Sequence, residues 1–173
     1  LEFNFKQVDL SKIVWSVVEE LSGNAKKRGL ILEYKPPAKP LPLVKMDEEK
    51  IRQVVMNLVD NAIKYTKQGS ITVSLELLKN NLKLSVADSG MGIKPENMAS
   101  LFKKFSRGPG TFLVHTEGTG LGLYVARMMI EAHKGNIWAE SDGVGKGSKF
   151  CRDCRLGRKL LVEYLTNKLT LLK

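Results

Sequence analysis

The amino-acid sequence predicts an α+β fold, a two-layer α/β sandwich, on three observations. Apolar residues recur at helical spacing in two long stretches, Asp9 to Arg28 and from Asp47 onward. Ile71 to Leu78 and Leu82 to Ala87 instead alternate apolar and polar residues, as strands with one buried face do. Helices and antiparallel strands also come in blocks rather than as regular βαβ units.

Each element has a local cause. In the first helix, Ile13, Val14, Val17, Val18 and Leu21 form the apolar stripe, Asp9 or Ser11 can cap its start, and Gly29 is placed to stop it. Leu30 to Tyr34 suits a short strand. Pro36 to Pro42 must be a loop, because proline lacks the N–H that a helix or ladder needs. The helix from Asp47 buries Ile51, Val54, Val55, Leu58, Val59, Ala62 and Ile63. A hairpin follows, with its turn expected at Asn80-Asn81. Pro95 opens a short helix, Gly122 to His133 forms a third long one, and Asn136 to Glu140 and Ser148 onward complete the strands.

Composition narrows the function classes. With 173 residues, 43% hydrophobic and 27% charged, the chain fits one core-forming domain. There is no run of 18 apolar residues and no signal-peptide pattern at the start. Position 1 is leucine, so a piece of a longer protein is expected. The net charge of +10 is not gathered into a stripe interleaved with aromatics, which argues against a nucleic-acid partner. Cys151 and Cys154 form a lone CxxC without a second pair or suitably spaced histidines, as expected for incidental thiols.

Four features carry chemistry. On the long helix, QVVMNLVDNAIKYT (53–66) places Asn57 and Asn61 four residues apart, on one face, with Lys64 three further on. Amide oxygens are neutral, hard ligands that suit Mg²⁺, and a lysine adds a cation for phosphate. DSGMGI (88–93) follows a predicted strand. A strand-end aspartate can accept a hydrogen bond from an exocyclic amine, and Gly90 and Gly92 let backbone approach a flat ligand. GTGLGL (118–123) opens a helix whose N-terminal N–H groups suit phosphate. It lacks the preceding strand of a dinucleotide-binding unit, and no GxxxxGK[ST] phosphate loop occurs. The stretch from Arg107 to Glu117 reads as a lid over a nucleotide. GVGKGSKF (143–150) is a glycine-rich turn entering a strand. Taken singly, each feature also fits a plain polar helix face, a turn or a helix start.

Their order resembles the nucleotide-binding boxes of sensor histidine kinases, within the larger group shared with gyrase, Hsp90 and MutL-type ATPases. NLVDNAIKYT is similar to the asparagine box, DSGMGI to the first glycine box, LFKKFSRG to the phenylalanine box and GTGLGL to the second glycine box. The resemblance covers about Lys6 to Phe150 and implies a Bergerat ATP-binding fold, with helices on one face of a mixed, mostly antiparallel sheet. It implies Mg²⁺ and ATP as cofactors and Asn61 as the metal ligand, with Asn57 beside it. Asn57, Lys64 and Arg107 would be catalytic. Tyr65 would lie along the nucleotide, and Asp88, with Gly90, Gly92 and Ile93, would read the adenine amine. Gly118, Thr119, Gly120, Leu121, Gly122 and Leu123 would wrap the phosphates, Lys104 and Arg107 would approach the last of them, and Ser148 would sit on the adenine side. Two departures stand out: Ser106 occupies a place where many relatives have an aromatic residue, and 151–173 is an atypical tail. An extra helix, foreign sequence or a change of reading frame would each produce such a tail.

The resemblance also sets the expected reaction. Related ATPases place a water-activating glutamate where this chain has Asn57, and an amide cannot act as a general base. Transfer of the γ-phosphoryl group to a protein histidine is therefore expected, with an ATPase switch or a degenerate nucleotide-binding regulator as the alternatives. Neither His115 nor His133 lies in an acceptor pattern, so the acceptor is expected on upstream dimerisation helices of the parent kinase, with a response regulator downstream. The implied state is a monomeric fragment of a homodimeric, cytoplasmic parent, with or without a membrane anchor elsewhere in it.

Overall fold

The computed structural model describes residues 2–104 and 121–155. Strand β1 (Lys6–Val8) leads into helix α1 (Leu10–Lys27). The Asp9 carboxylate caps this helix by accepting from the N–H groups of Ser11 and Lys12 at 3.0 and 3.3 Å. At the other end, Gly29 N–H donates to the Lys26 carbonyl and Leu30 N–H to that of Ala25, both at 3.0 Å. That pair is a Schellman stop, and it needs the left-handed backbone of Gly29, φ 69°. Strands β2 (Ile31–Lys35) and β3 (Val44–Met46) follow. Helix α2 (Glu48–Tyr65) then begins at Asp47, which accepts from Lys50 N–H at 3.0 Å.

The remaining elements are β4 (Ser70–Leu78), β5 (Asn81–Asp88), α3 (Pro95–Met98), α4 (Gly122–Ala132), β6 (Asn136–Glu140) and β7 (Ser148–Arg155). The main sheet runs β2-β4-β5-β7-β6, parallel only between β2 and β4. Its inner face carries Ile71, Val73, Leu75, Leu82, Leu84 and Val86, all fully or nearly fully buried. Helices α1, α2 and α4 cover that face, with α2 in the middle, touching both neighbours and strands β4 and β5. The expected two-layer sandwich with a mixed, mostly antiparallel sheet is therefore the fold found. Among the described residues, no helix is long and apolar enough to cross a membrane.

Three details differ from the sequence reading. The hairpin turns at Lys79-Asn80, one residue early, because Leu75 pairs with Leu84 and Leu77 with Leu82, and this inward apolar register fixes the centre of the turn. Strands β1 and β3, which pair antiparallel, went unrecognised, since three residues hold too little alternation to be seen. Strand β7 runs across the expected division at residue 150, pairing with β5 as far as Arg155; residues 156–173 lie outside the described residues.

Strand alternation in β7 turns Phe150, Arg152 and Cys154 inward and Cys151 outward, opposite Ser85. The two thiols of the CxxC thus lie on opposite faces of the sheet, which keeps them apart as a metal or disulfide pair; both are free and buried. Arg152 faces Leu84 and Ile137 across the sheet with no exposed surface. Its guanidinium nitrogens have no hydrogen-bond partner among the described residues, and burial pushes its pKa down.

Candidate functional site

Helix α2 delivers its polar face to a corner shared with α4 and with the ends of β5 and β7. Asn57 and Asn61 are half-buried on that face, and Tyr65, at the last turn, is 37% exposed. The Asn57 side-chain amide donates to the carbonyl of Gly122 at 3.3 Å, so the asparagine face of α2 meets the first residue of α4. Leu121 and Gly122 therefore sit where the first N–H groups of α4, which have no carbonyl within the helix to bond, open beside those amides. Leu123 packs against the core from the same turn. Lys64 lies next to this corner, with its ammonium held by Asp60 at 2.7 Å.

The turn after β5 comes next to the end of α2. Met91 N–H donates to the Tyr65 carbonyl at 3.2 Å, and Gly90 leaves no room for a Cβ, which would run into that carbonyl oxygen. Asp88 is fixed at both oxygens: Oδ1 accepts from Gly90 N–H at 2.9 Å and Oδ2 from the Ser148 hydroxyl at 2.6 Å. Asp88 and Ser148 are direct partners across β5 and β7, so the sheet register itself brings the carboxylate and the hydroxyl together. Each carboxylate oxygen keeps further accepting capacity for a ligand donor.

The same turn is laced to the glycine-rich loop before β7. Gly92, at φ 69°, packs so closely on Gly143 that a side chain would strike the Gly143 carbonyl. Gly145 N–H donates to the Met91 carbonyl at 2.8 Å and Gly147 N–H to that of Gly90 at 3.2 Å. Ile93 N–H is held by the Ser141 hydroxyl at 3.0 Å, and that hydroxyl donates to the Gly147 carbonyl at 2.7 Å. Ser141 thus ties the two loops together; nothing in a lone serine after a strand pointed to this. Thr66 was missed as well: it follows α2, is wholly buried and faces Gly90.

The structure therefore brings together Asn57, Asn61, Tyr65, Asp88, Gly90, Gly92, Ile93, Gly122 and Ser148. Lys104 ends the described stretch before this corner. Arg107, Gly118, Thr119 and Gly120 lie outside the described residues, as do Ser106 and His115. His133 lies at the far end of α4, where Nε2 accepts from Asp47 N–H at 2.9 Å. Nδ1 must then carry the proton that it donates to the Met129 carbonyl at 2.6 Å, which is a structural assignment for this histidine. Among the described residues no group of three or more His, Cys, Asp or Glu side chains could hold a metal. Any cation here would depend on amides and on oxygens of its own ligand, as Mg²⁺ bound to phosphates does.

Known proteins share both sequence and fold with this chain. Two curated sequences, both named adaptive-response sensory kinase SasA, are 36% identical over 155 residues (Gloeothece citriformis strain PCC 7424) and 37% identical over 150 residues (Synechococcus sp. strain JA-2-3B'a(2-13)). The alignments cover 87% and 83% of this chain but 38% of each relative, so the chain spans well under half the length of the curated relatives it matches. Among solved structures, the catalytic domain of histidine kinase ThkA superposes with a TM-score of 0.77 at 28% identity, covering 88% of this chain and 96% of that one. Full-length ShkA in complex with AMPPNP gives the same score and identity, covering 89% of this chain and 31% of the other. ThkA in complex with the response regulator TrrA matches with a TM-score of 0.73 at 26% identity, covering 90% and 42%. The family model for histidine kinase-, DNA gyrase B- and HSP90-like ATPases matches residues 46–157, from β3 through the end of β7, and with it the corner just described. The chain belongs to that family, as a GHKL ATP-binding domain homologous to histidine kinase catalytic domains.

Proposed function

We propose that this domain binds Mg²⁺·ATP in the corner between α2, the β5 turn and α4, and hands the γ-phosphoryl group to a histidine on separate dimerisation helices of its parent kinase. The contact that carries this reading is Asn57 to Gly122, which joins the amide face of α2 to the N-terminus of α4 beside the fixed carboxylate of Asp88. The residues fit the ligand. Asn61 and Asn57 offer amide oxygens for the cation, the α4 N-terminus with Leu121 and Gly122 offers N–H groups for phosphate, and Asp88 with Ser148 offers acceptors to an exocyclic amine. Bound Mg²⁺·ATP supplies the electrophilic phosphorus and a cation that neutralises charge building up on the phosphate oxygens. Arg107, Lys104, Lys64 and Gly118 to Gly120 complete the proposed set; Lys64 would leave Asp60 to reach phosphate.

The chain's own groups favour transfer over hydrolysis. Asn57 stands four residues before Asn61 and cannot take a proton from water. Asp60, the carboxylate next in sequence to Asn61, is held by Lys64. The family's full-length kinases suggest the acceptor helices and a response regulator as partners, in keeping with the ThkA–TrrA complex.

Calorimetric titration with Mg²⁺·ATP tests the site. Asp88→Asn and Asn61→Ala should each lower affinity by about ten-fold or more, the worth of one hydrogen bond to a charged group. Asn61→Ala should also lose most of the Mg²⁺ dependence. Adding a separate histidine-bearing helical hairpin should then yield acid-labile phosphate. Wild-type binding by both variants, or rapid phosphate release by the chain without a partner, would overturn the proposal.

A further inference from the structure

Asp88 is aimed by two separate stretches of chain. The turn 89–93 holds Oδ1 through Gly90 N–H at 2.9 Å, and the start of β7 holds Oδ2 through the Ser148 hydroxyl at 2.6 Å. The direction in which the carboxylate offers its remaining lone pairs therefore depends on how these two stretches sit relative to each other. Backbone bonds join them, from Gly145 N–H to the Met91 carbonyl and from Gly147 N–H to that of Gly90. Half-buried Ser141, just after β6, adds a side chain to this lacing. Its hydroxyl accepts from Ile93 N–H at 3.0 Å and from Gly143 N–H at 3.3 Å, and donates to the Gly147 carbonyl at 2.7 Å. The Gly143 carbonyl, at 3.4 Å, is the weaker claimant on the same hydrogen. A serine hydroxyl has one hydrogen and two lone pairs, so these bonds use its whole capacity and leave none for a ligand.

We infer that Ser141 is a positioning residue for recognition of the base: by holding Ile93 N–H and the Gly147 carbonyl at once, its hydroxyl sets the spacing between the two arms that fix Asp88, and so the direction in which the carboxylate meets the exocyclic amine of adenine. The inference rests on the nucleotide reading of the site and deepens it by assigning base selectivity to a side chain behind the pocket. Both arms are short. Ile93 closes the turn in which Gly90 holds Oδ1, and Gly147 immediately precedes Ser148, which holds Oδ2. Gly147, at φ 71°, also lies so close to Asp88 that a Cβ on it would strike the Asp88 carbonyl, so the loop rests on the residue it orients. The backbone bonds between the arms survive a change of side chain, whereas the bonds of Ser141 go with its hydroxyl. The proposed phosphate side is joined separately, through Asn57 and Gly122, and shares no hydrogen bond with Ser141 among the described residues. Loss of the hydroxyl should therefore fall on the base and spare the grip on the triphosphate.

The test compares ATP with inosine triphosphate, which carries an oxygen in place of the exocyclic amine. The Kd ratio is measured by titration on the whole chain for wild type, Ser141→Ala, Ser141→Thr and, as a control, Asp88→Asn. A ratio taken within one preparation does not depend on how much of it is folded, and a purely structural role would weaken both nucleotides alike. Ser141→Ala should lose about five-fold or more of the preference for ATP, mostly through weaker ATP binding, while Ser141→Thr keeps it. A wild-type ratio in Ser141→Ala, an equal loss in Ser141→Thr, or a wild type with no preference for ATP overturns the inference. The nucleotide site still stands in each of these cases as long as Asp88→Asn weakens ATP binding. If Asp88→Asn binds ATP as wild type does, the nucleotide reading fails, and this assignment with it.

Discussion

The two ends of helix α2 are built on opposite principles. At the N-terminal end Asp47, 5% exposed, accepts from Lys50 N–H and, at 2.7 Å, from Asn4 N–H, while its own N–H goes to His133. Phe3 and Phe5 pack their rings against the imidazole, with centroids 5.7 and 4.9 Å away. Strand β1, paired with β3, and the Lys6–Glu48 ion pair at 2.6 Å hold the N-terminal segment over this end. The C-terminal end has half-buried amides, an exposed tyrosine, a hydroxyl without a partner among the described residues and a turn with no room for a Cβ. Polar groups that saturate one another stabilise a fold; polar groups that keep donor or acceptor capacity, held on rigid elements, are what a ligand can use. One helix therefore serves as an anchor at residue 47 and as a binding surface from residue 57 to residue 66.

The largest expected effect breaks the open end. Gly90→Ala puts a methyl against the Tyr65 carbonyl and the Asp88 carboxylate, both fixed by backbone bonds, so the turn must move and the Asp88–Ser148 bond with it. Overpacking of this kind costs about 1–3 kcal/mol. It should appear as lost Mg²⁺·ATP binding in a titration; affinity equal to wild type would mean that the turn is not the site.

A second change sharpens the closed end by removing its flaw. Arg152 lies close enough to His133 for its charge to lower the histidine pKa, and its own guanidinium is buried with no hydrogen-bond partner among the described residues. Arg152→Leu supplies the apolar side chain that this inward position of β7 calls for. It should raise stability by about 1–4 kcal/mol in urea unfolding, the range seen when buried charges are replaced by packed hydrophobic groups. Unchanged or lower stability would show that the guanidinium has a partner worth keeping.

The smallest effect is one of pH. Burial, and then the Arg152 charge, outweigh the Met129 carbonyl and Asp47, so the His133 pKa lies below its ordinary value of 6.5. Folding thus favours the neutral ring. The stability this contributes is complete above pH 6.5 and drains away as the pH falls from there toward the lowered folded pKa, because the unfolded chain takes up the proton first. His133→Gln should flatten that slope in unfolding measured from pH 7.5 to 5, leaving nucleotide affinity at pH 7.5 unaltered. A slope that persists in the variant would place the titrating group elsewhere. Asp47 acts at lower pH: burial raises its pKa, but the N–H groups of Lys50 and Asn4 hold it below the ordinary 3.8, so its contribution is lost only as the pH falls through that lowered value.

Much of the fold was legible because its signals are periodic. The stripe from Ile51 to Ile63 and the alternation of Ile71, Val73 and Leu75 each repeat often enough to specify an element and its buried face. The amide pair Asn57 and Asn61 was legible for the same reason, since helical spacing alone puts both on one side. Strands β1 and β3 were not, being shorter than the pattern that would reveal them. Nor were Thr66 and Ser141, whose importance lies in what stands opposite them and not in their neighbours along the chain.

The sequence by itself determined the layers, the starts of the two long helices near Asp9 and Asp47 and the residue types of the candidate site, because each depends on groups a few positions apart. Only the tertiary structure decided that Asp88 faces Ser148, that Asn57 reaches Gly122, that His133 belongs to the anchor, and that Arg152 is wholly buried. These pairings join residues 60 or more positions apart in the first three cases, and no local preference encodes them. They follow from sheet register and helix packing, which are fixed only when the whole core closes.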